Sequence, residues 1–177
     1  MEKVELIGGL IENHRKFIGL INSLSDEDFS ARPNPEKWSN GENLAHILQS
    51  TQPLNQALAL PKFQLKMMFG KSNRPSRSYE ELVKKYQEKL AEGGKASGKY
   101  LPKEISIDER AKLADKLSVT VKNIVTKISD FSENDFDEFI LPHPLLGKLT
   151  LREMMYFTSY HVQHHQETVE RNLAIEN

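Results

Sequence analysis

Residues 160–167 read Tyr160-His161-Val162-Gln163-His164-His165-Gln166-Glu167, and they hold three of the six histidines in the chain. His161 and His165 are four residues apart, so in a helix their side chains project from one face. Nearby apolar residues, among them Tyr156 and Val169, place this face on or beside the inward side of the helix. Buried imidazoles need partners for their ring nitrogens. We therefore expect a core-facing helix whose histidine pair can hold a divalent metal ion.

Apolar residues recur at three- and four-residue spacing along most of the sequence, which is typical of helices packed around a core. No segment alternates with period two for long enough to predict a strand. We predict an all-α chain, a four-helix bundle with an additional short helix and a crossover connection, as a single domain over 1–177. The predicted helices are residues 2–24, 40–60, 79–91 (the short one), 107–129 and a last helix that Thr150 caps.

The charges of the chain nearly balance, since 24 Lys and Arg against 25 Asp and Glu give a formal net charge of -1. This balance argues against nucleic acid or an anionic membrane surface as the main partner. No apolar stretch approaches the length of a membrane span. The sequence has no cysteine, so a metal would have to be held by imidazole and oxygen. We expect a soluble, cytoplasmic protein.

A catalytic site of the zinc type needs three protein ligands and an open position, and the candidates for the third ligand are His14 and His46. His14 lies on the apolar stripe of the first helix, whereas His46 lies about 140° from the stripe of the second helix. His143 falls in a proline-flanked loop, and His164 projects about 100° away from the pair. The pattern does not decide between the two candidates, and a pair that is only hydrogen-bonded is also compatible with it. His46 shares a second stripe with small side chains that would let another helix approach: Ser50, Pro53 and Ala57.

Two motifs resemble those of a known family. The string Trp38-Ser39-Asn40-Gly41-Glu42-Asn43-Leu44-Ala45-His46-Ile47-Leu48 resembles the tryptophan-capped second helix of the DinB/YfiT-like superfamily, in which the histidine one turn after the acidic residue is the first metal ligand. The string His143-Pro144-Leu145-Leu146-Gly147-Lys148-Leu149-Thr150-Leu151-Arg152-Glu153, running on to His161 and His165, is similar to the last helix of that family and its lead-in. The resemblance spans nearly the whole chain. It implies a four-helix bundle that binds zinc, nickel or a similar divalent transition metal through His46, His161 and His165.

The same resemblance changes how the other candidates are interpreted. His14 becomes a residue behind the metal ligands or a base that faces the substrate, although packing in the core explains it as well. Glu42, one turn before His46, is a candidate general base, and helix capping explains it equally well. His143 is expected to fix its loop over the end of the bundle. Many members of the family have a glutamine three residues after the last ligand, where this sequence has Thr168, so the groups behind the ligands are expected to differ.

Three neutral imidazoles leave a divalent ion its full positive charge, which can activate water or ionise a bound thiol. The relatives implied by the resemblance include metal-dependent hydrolases and thiol-dependent transferases or isomerases. We therefore expect an enzyme for a small-molecule substrate, first a hydrolase and alternatively a transferase that uses a low-molecular-weight thiol. Val162 stands where zinc proteases with two helical histidines have glutamate, which excludes that class. A non-enzymatic metal-binding helical module is the third hypothesis, and the resemblance also suggests a homodimer.

The connection over residues 61–77 is basic, and Gly70 and Pro75 interrupt helical structure there. We expect a solvated loop, and a contact with an anionic substrate or cofactor is the alternative. The cations of this connection are Lys62, Lys66, Lys71, Arg74 and Arg77.

Overall fold

The structure, a computed structural model, describes residues 2–176. Met1 and Asn177, the ends of the predicted domain 1–177, lie outside the described residues. Within them the chain forms eight α-helices, two 3-10 turns (Gly98–Tyr100 and Ile107–Glu109) and one β-hairpin. The helices are α1 (Lys3–Ser23), α2 (Asp26–Ser30), α3 (Asn40–Ala57), α4 (Lys62–Phe69), α5 (Tyr79–Ala91), α6 (Arg110–Ser129), α7 (Glu133–Glu138) and α8 (Leu151–Glu176), and the strands are β1 (Ile140–His143) and β2 (Gly147–Thr150).

Four long helices, α1, α3, α6 and α8, form a bundle around one hydrophobic core. Both α1 and α3 pack mainly against α6 and α8, so the first two long helices lie diagonally across the bundle and the order is not simply up and down. The apolar stripes explain this packing, because each helix turns its stripe inward; fully buried examples are Leu10, Phe17 and Ile21 on α1 and Leu117 and Ile124 on α6. The predicted four-helix bundle with a short additional helix, α5, is confirmed. None of the helices in the described part of the chain is long and apolar enough to cross a membrane.

The segment before α8 is a β-hairpin, where the sequence indicated a loop in an all-α chain. Its strands pair antiparallel from Ile140 with Thr150 to His143 with Gly147. Four residues per strand are too few to show the alternation from which a strand is predicted. Gly147 closes the turn with a φ of 76°, a value that favours glycine. The short hairpin leaves the fold class unchanged, but it closes one end of the site described below.

The basic connection is a loop over only part of its length. Residues Lys62–Phe69 form α4, and Phe63 and Met67 on this helix are exposed. The lysines of the connection pair with acidic side chains of α7. Its two arginines pair with Glu153 at the start of α8. Because all five cations of the connection already have acidic partners, an anionic substrate or cofactor is not supported there.

The start of α3 is held in place by reciprocal hydrogen bonds. The Ser39 hydroxyl accepts from the N–H of Glu42, and the Glu42 carboxylate accepts from the N–H of Ser39, which forms a capping box. The same carboxylate accepts a hydrogen bond of 2.5 Å from Arg32. Gly41 is required because a Cβ there would lie 2.6 Å from the buried ring of Phe29. These contacts position the following turns of α3.

His14 is buried in α1. Its Nδ1–H donates to the carbonyl of Leu10 at 2.8 Å, and its buried Nε2 has no hydrogen-bond partner among the described residues. Among the described residues no hydrogen bond or ring contact joins it to the other candidate ligands. These observations favour packing in the core, and a role for His14 behind the metal ligands stays a prediction.

We expect His14→Leu to flatten the pH dependence of stability in metal-free protein. Burial lowers the pKa of His14 to about 4, despite the hydrogen bond to Leu10. Since the unfolded chain takes up this proton at higher pH than the folded protein, stability falls as the pH drops from the ordinary histidine pKa towards 4. This one residue is expected to cost about 2 kcal/mol between pH 7.5 and pH 5. Urea unfolding of both proteins at the two pH values measures the difference, and an equal loss in the variant would contradict the assignment.

Candidate metal centre

Two helices of the bundle bring three histidines together. His46 on α3 faces His161 and His165 on consecutive turns of α8, and all three are buried. One ligand atom of each residue lies within 4.8 Å of those of the other two. The Nε2 atoms of His46 and His161 are 3.3 Å apart. The structure therefore brings the three predicted metal ligands into one cluster.

Hydrogen bonds fix the orientation of two of these rings. His46 Nδ1–H donates to the carbonyl of Tyr100 at 2.7 Å. His165 Nδ1–H donates to Asn43 Oδ1 at 2.6 Å, and the Asn43 amide is itself oriented because its Nδ2 donates to the carbonyl of Ser39. A carbonyl or amide oxygen only accepts, so both Nδ1 atoms carry the ring proton. Each Nε2 atom of these neutral rings is then unprotonated and carries a lone pair that can bind a metal ion.

The third ring has the same arrangement with a weaker contact. The Ser50 hydroxyl donates to the carbonyl of His46, or of Ile47, and His161 Nδ1 lies 3.4 Å from its oxygen. Because the hydroxyl proton is used within the helix, the oxygen is free to accept from His161 Nδ1–H. All three imidazoles thus have Nδ1 towards the protein and Nε2 available as a ligand.

The donor set fits a divalent transition metal. Two bare nitrogen lone pairs that face each other at 3.3 Å repel unless a cation lies between them. In a tetrahedral zinc site, metal–nitrogen distances of about 2.0–2.1 Å place neighbouring nitrogens roughly 3.4 Å apart. The ligand atoms all lie within 4.8 Å of one another, so small movements of the rings would bring them to this spacing.

Electrostatics keeps these histidines neutral. Burial lowers the pKa of all three, and the neighbouring imidazoles lower it further for His161 and His165. The hydrogen bond to Tyr100 opposes this effect only partly at His46. Neutral imidazole is the form that binds metal ions, so no proton has to leave the cluster at neutral pH.

Aromatic rings cover the cluster. The ring centroid of Trp38 is 4.7 Å from that of His46, and Trp38 stacks on His165 at 6.0 Å and 13°. Phe157 stacks on His161 at 4.8 Å and 23°. These contacts restrict rotation of the imidazoles and limit access of water to them.

A cavity of about 310 Å³ adjoins the cluster, and His46 and His161 form part of its wall. Further walls come from α5, the β-hairpin and residues 95–100. Tyr86 lines the cavity as well, and burial raises its pKa to about 12, so its hydroxyl stays protonated at neutral pH. The second stripe of α3 admits another helix at its start, where Ser50 Oγ lies 3.4 Å from His161 Nδ1 of α8, and the same stripe borders the cavity; its small residues there are Ser50, Pro53 and Ala57.

The remaining candidates lie around this centre. His143 Nδ1 accepts from the N–H groups of Leu145 and Leu146, which confirms that it fixes the hairpin turn, and its ring lines the cavity. His164 is half-buried, with its ring 6.0 Å from that of Tyr86. Glu42 is not among the described residues that line the cavity.

The position three residues after His165 does not support the ligands. The Thr168 hydroxyl donates to the carbonyl of His164 and accepts from Arg171. The partner of His165 comes from α3 instead, as Asn43. The expectation that the groups behind the ligands differ from the pattern with glutamine agrees with this arrangement.

Comparison of this chain with known sequences identifies its family. The sequence model of the DinB superfamily aligns with residues 10–169. This chain belongs to the DinB superfamily. Among individual proteins, it is similar to YuaE, an uncharacterised protein of Bacillus subtilis (strain 168), with 26% identity over 145 residues, which is 82% of this chain and 83% of YuaE. Membership of the DinB superfamily and the buried three-histidine cluster together fit a metal-binding site.

Sequence reasoning missed the three groups that hold the ligand rings. Asn43 and Ser50 lie three residues before and four residues after His46, so their place on the same face of α3 was visible in the spacing. Tyr100 was not visible, because its carbonyl lies in a distant connection between α5 and α6. The partners of a metal-binding histidine are therefore predictable along one helix but not between elements.

We expect Asn43→Ala to weaken zinc binding by about 10–100-fold, because His165 loses the acceptor that orients its ring. Competition with a chromophoric chelator measures the affinity. Asn40→Ala is the matched control, since Asn40 bonds to Asp28 and Asn172 rather than to a histidine. Equal affinities of the two variants would show that the Asn43 contact does not support the ligand.

Proposed function

We propose that this member of the DinB superfamily is a divalent-metal-dependent enzyme with His46, His161 and His165 as ligands through Nε2, and that it hydrolyses a small molecule in the adjoining cavity. The observation that supports this most is the set of three imidazoles whose Nδ1 atoms are all turned to protein acceptors. When bound there, zinc or nickel would bring the pKa of water close to neutrality and polarise an electrophilic group.

The protein supplies orientation and a shielded site for this chemistry. Tyr100 and Asn43 hold the rings of His46 and His165 in orientations that leave Nε2 free as the ligand atom. The mostly apolar cavity wall lowers the local dielectric constant, which strengthens electrostatic interactions beside it. Tyr86 keeps its proton at neutral pH and is available to donate a hydrogen bond to a substrate oxygen.

The cavity also supports a second candidate function, the transfer of a low-molecular-weight thiol to an electrophile. No aspartate or glutamate is among the described residues that line it, so a carboxylate base for water is missing from its wall. A thiol bound to a divalent ion ionises without such a base. His46, His161 and His165 would hold the ion, and the adjoining cavity would hold the electrophilic substrate.

The contacts of Glu42 argue against a role as general base. Both oxygens of its carboxylate already accept hydrogen bonds, one from Arg32 and one from the N–H of Ser39. These contacts favour helix capping over catalysis. Glu42→Gln would separate the roles, because loss of stability without loss of turnover in the remaining folded protein indicates capping alone.

Activity screens with and without metal test the proposed function. Untagged protein is treated with chelator, reloaded with zinc or nickel, and assayed on a panel of esters and amides and on thiol conjugation to electrophiles. We expect hydrolysis that disappears with chelator and returns with metal. Metal-dependent conjugation without hydrolysis would favour the transferase, and bound metal with neither activity would favour the non-enzymatic module.

A further inference from the structure

The charged side chains among the described residues that line the cavity are all positive. Lys95 and Lys99 are among its lining residues, and no acidic side chain of the described residues is. Neither lysine forms an ion pair with a described residue, unlike the cations of residues 62–77. Lys99 Nζ lies over the ring of Tyr100, 5.2 Å from its centroid, a contact that leaves its positive charge without an acidic partner among the described residues at this cavity.

The rest of the wall is mostly apolar. Leucine, methionine and aromatic side chains from several elements face the space, for example Leu54, Leu90, Leu141, Met154 and Phe157. Together with the small side chains of α3, they leave about 310 Å³, which is a volume typical of sites for small organic ligands. An apolar body of the ligand would gain from leaving water here.

The lysines are linked to the metal centre through the backbone. Lys99 directly precedes Tyr100, whose carbonyl holds the ring of His46, and both residues belong to the 3-10 turn Gly98–Tyr100. Lys95 lies on the same connection, and both lysines are exposed. A ligand that reaches from the lysines into the apolar part of the cavity would therefore come close to His46 and His161.

We propose that the substrate is a small molecule with an apolar alkyl or aryl body and a carboxylate, and that Lys95 and Lys99 bind this carboxylate. A single carboxylate fits this mostly apolar wall better than a multiply charged phosphate does, since a lower charge costs less to remove from water. The identity of the reaction rests on the proposed function, but the binding of the anion does not need the metal.

Calorimetric titration of octanoate, 1-octanol and octylamine into metal-free full-length protein tests this proposal without a metal–carboxylate contact. We expect octanoate to bind more tightly than the other two, and Lys95→Gln combined with Lys99→Gln to weaken octanoate binding at least about tenfold. The binding of 1-octanol should not change. The control pair Lys112→Gln and Lys116→Gln removes the same charge from the exposed side of α6 and should leave octanoate binding unchanged.

Ala57→Leu locates the binding site, because it narrows the cavity and should weaken both octanoate and 1-octanol. Equal binding of octanoate by the lysine variant and the parent protein would overturn the proposal, as would equal binding of octanoate and 1-octanol. If the protein binds octanoate through the lysines but does not bind zinc, the proposed function fails and the anion site stands. If the protein binds zinc and the lysine variant binds octanoate as tightly as the parent protein does, only the substrate proposal fails.

Discussion

His161→Ala is expected to abolish stoichiometric metal binding. Its Nε2 lies 3.3 Å from that of His46, so the substitution removes one of the three ligand nitrogens and leaves His46 without this neighbour. The affinity for zinc should fall by more than the roughly 100-fold that loss of a supporting group can cause. Metal analysis of untagged protein after dialysis gives the stoichiometry, and circular dichroism establishes that the variant is folded.

His164→Ala is the matched control for this substitution. It removes the adjacent imidazole of the same helix, which is only half-buried and is not part of the three-histidine cluster. This variant should keep one metal ion per chain. Full metal content in His161→Ala, or an equal loss in both variants, would contradict the assignment of the ligands.

Glu153→Ala is expected to lower the free energy of unfolding by about 3 kcal/mol. The carboxylate is fully buried and accepts from Arg74 at 2.6 and 2.7 Å, from Arg77 and from the N–H of Thr150. Burial alone would raise the pKa of Glu153, but these hydrogen bonds outweigh it and hold the pKa below its ordinary value. The substitution removes the contacts that hold the connection before α5 against the start of α8. The arginine side chains are about one-third exposed, so water recovers part of their lost interaction.

Glu81→Ala separates the buried ion pairs from helix capping. Glu81 forms the same capping box with Ser78 at the start of α5, but its side chain is exposed and pairs with no arginine. We expect this control to cost only about 0.5–1 kcal/mol. Chemical denaturation of the two variants measures both values. A loss at Glu153 no larger than that at Glu81 would mean that the arginine contacts add nothing to stability.

The bundle was predictable because each long helix has a continuous apolar stripe, such as Leu10, Phe17 and Ile21 on α1, and burying these stripes leaves few arrangements. The start of α8 was also predictable, since Thr150 and Glu153 form the expected capping box. The hairpin and α4 were not, because they are short and depend on contacts with distant segments. The partners of the basic connection were hidden for the same reason, since its acids lie in α7 and α8.

The candidate site shows where helical periodicity is insufficient. The four-residue spacing identified His161 and His165, but His46 lies off the apolar stripe of α3 and looked unfavourable as a buried ligand. The structure explains this, because that face of α3 borders the cavity and α8 rather than the central core. Only the resemblance to the family selected His46 over His14 before the structure was known.

The most direct test of the metal centre is anomalous X-ray diffraction from crystals of untagged protein prepared with one equivalent of zinc. We expect one strong anomalous peak per chain, about 2.0–2.1 Å from the Nε2 atoms of His46, His161 and His165. The absence of a peak between these three nitrogens, or a peak held by other residues, would contradict the central claim.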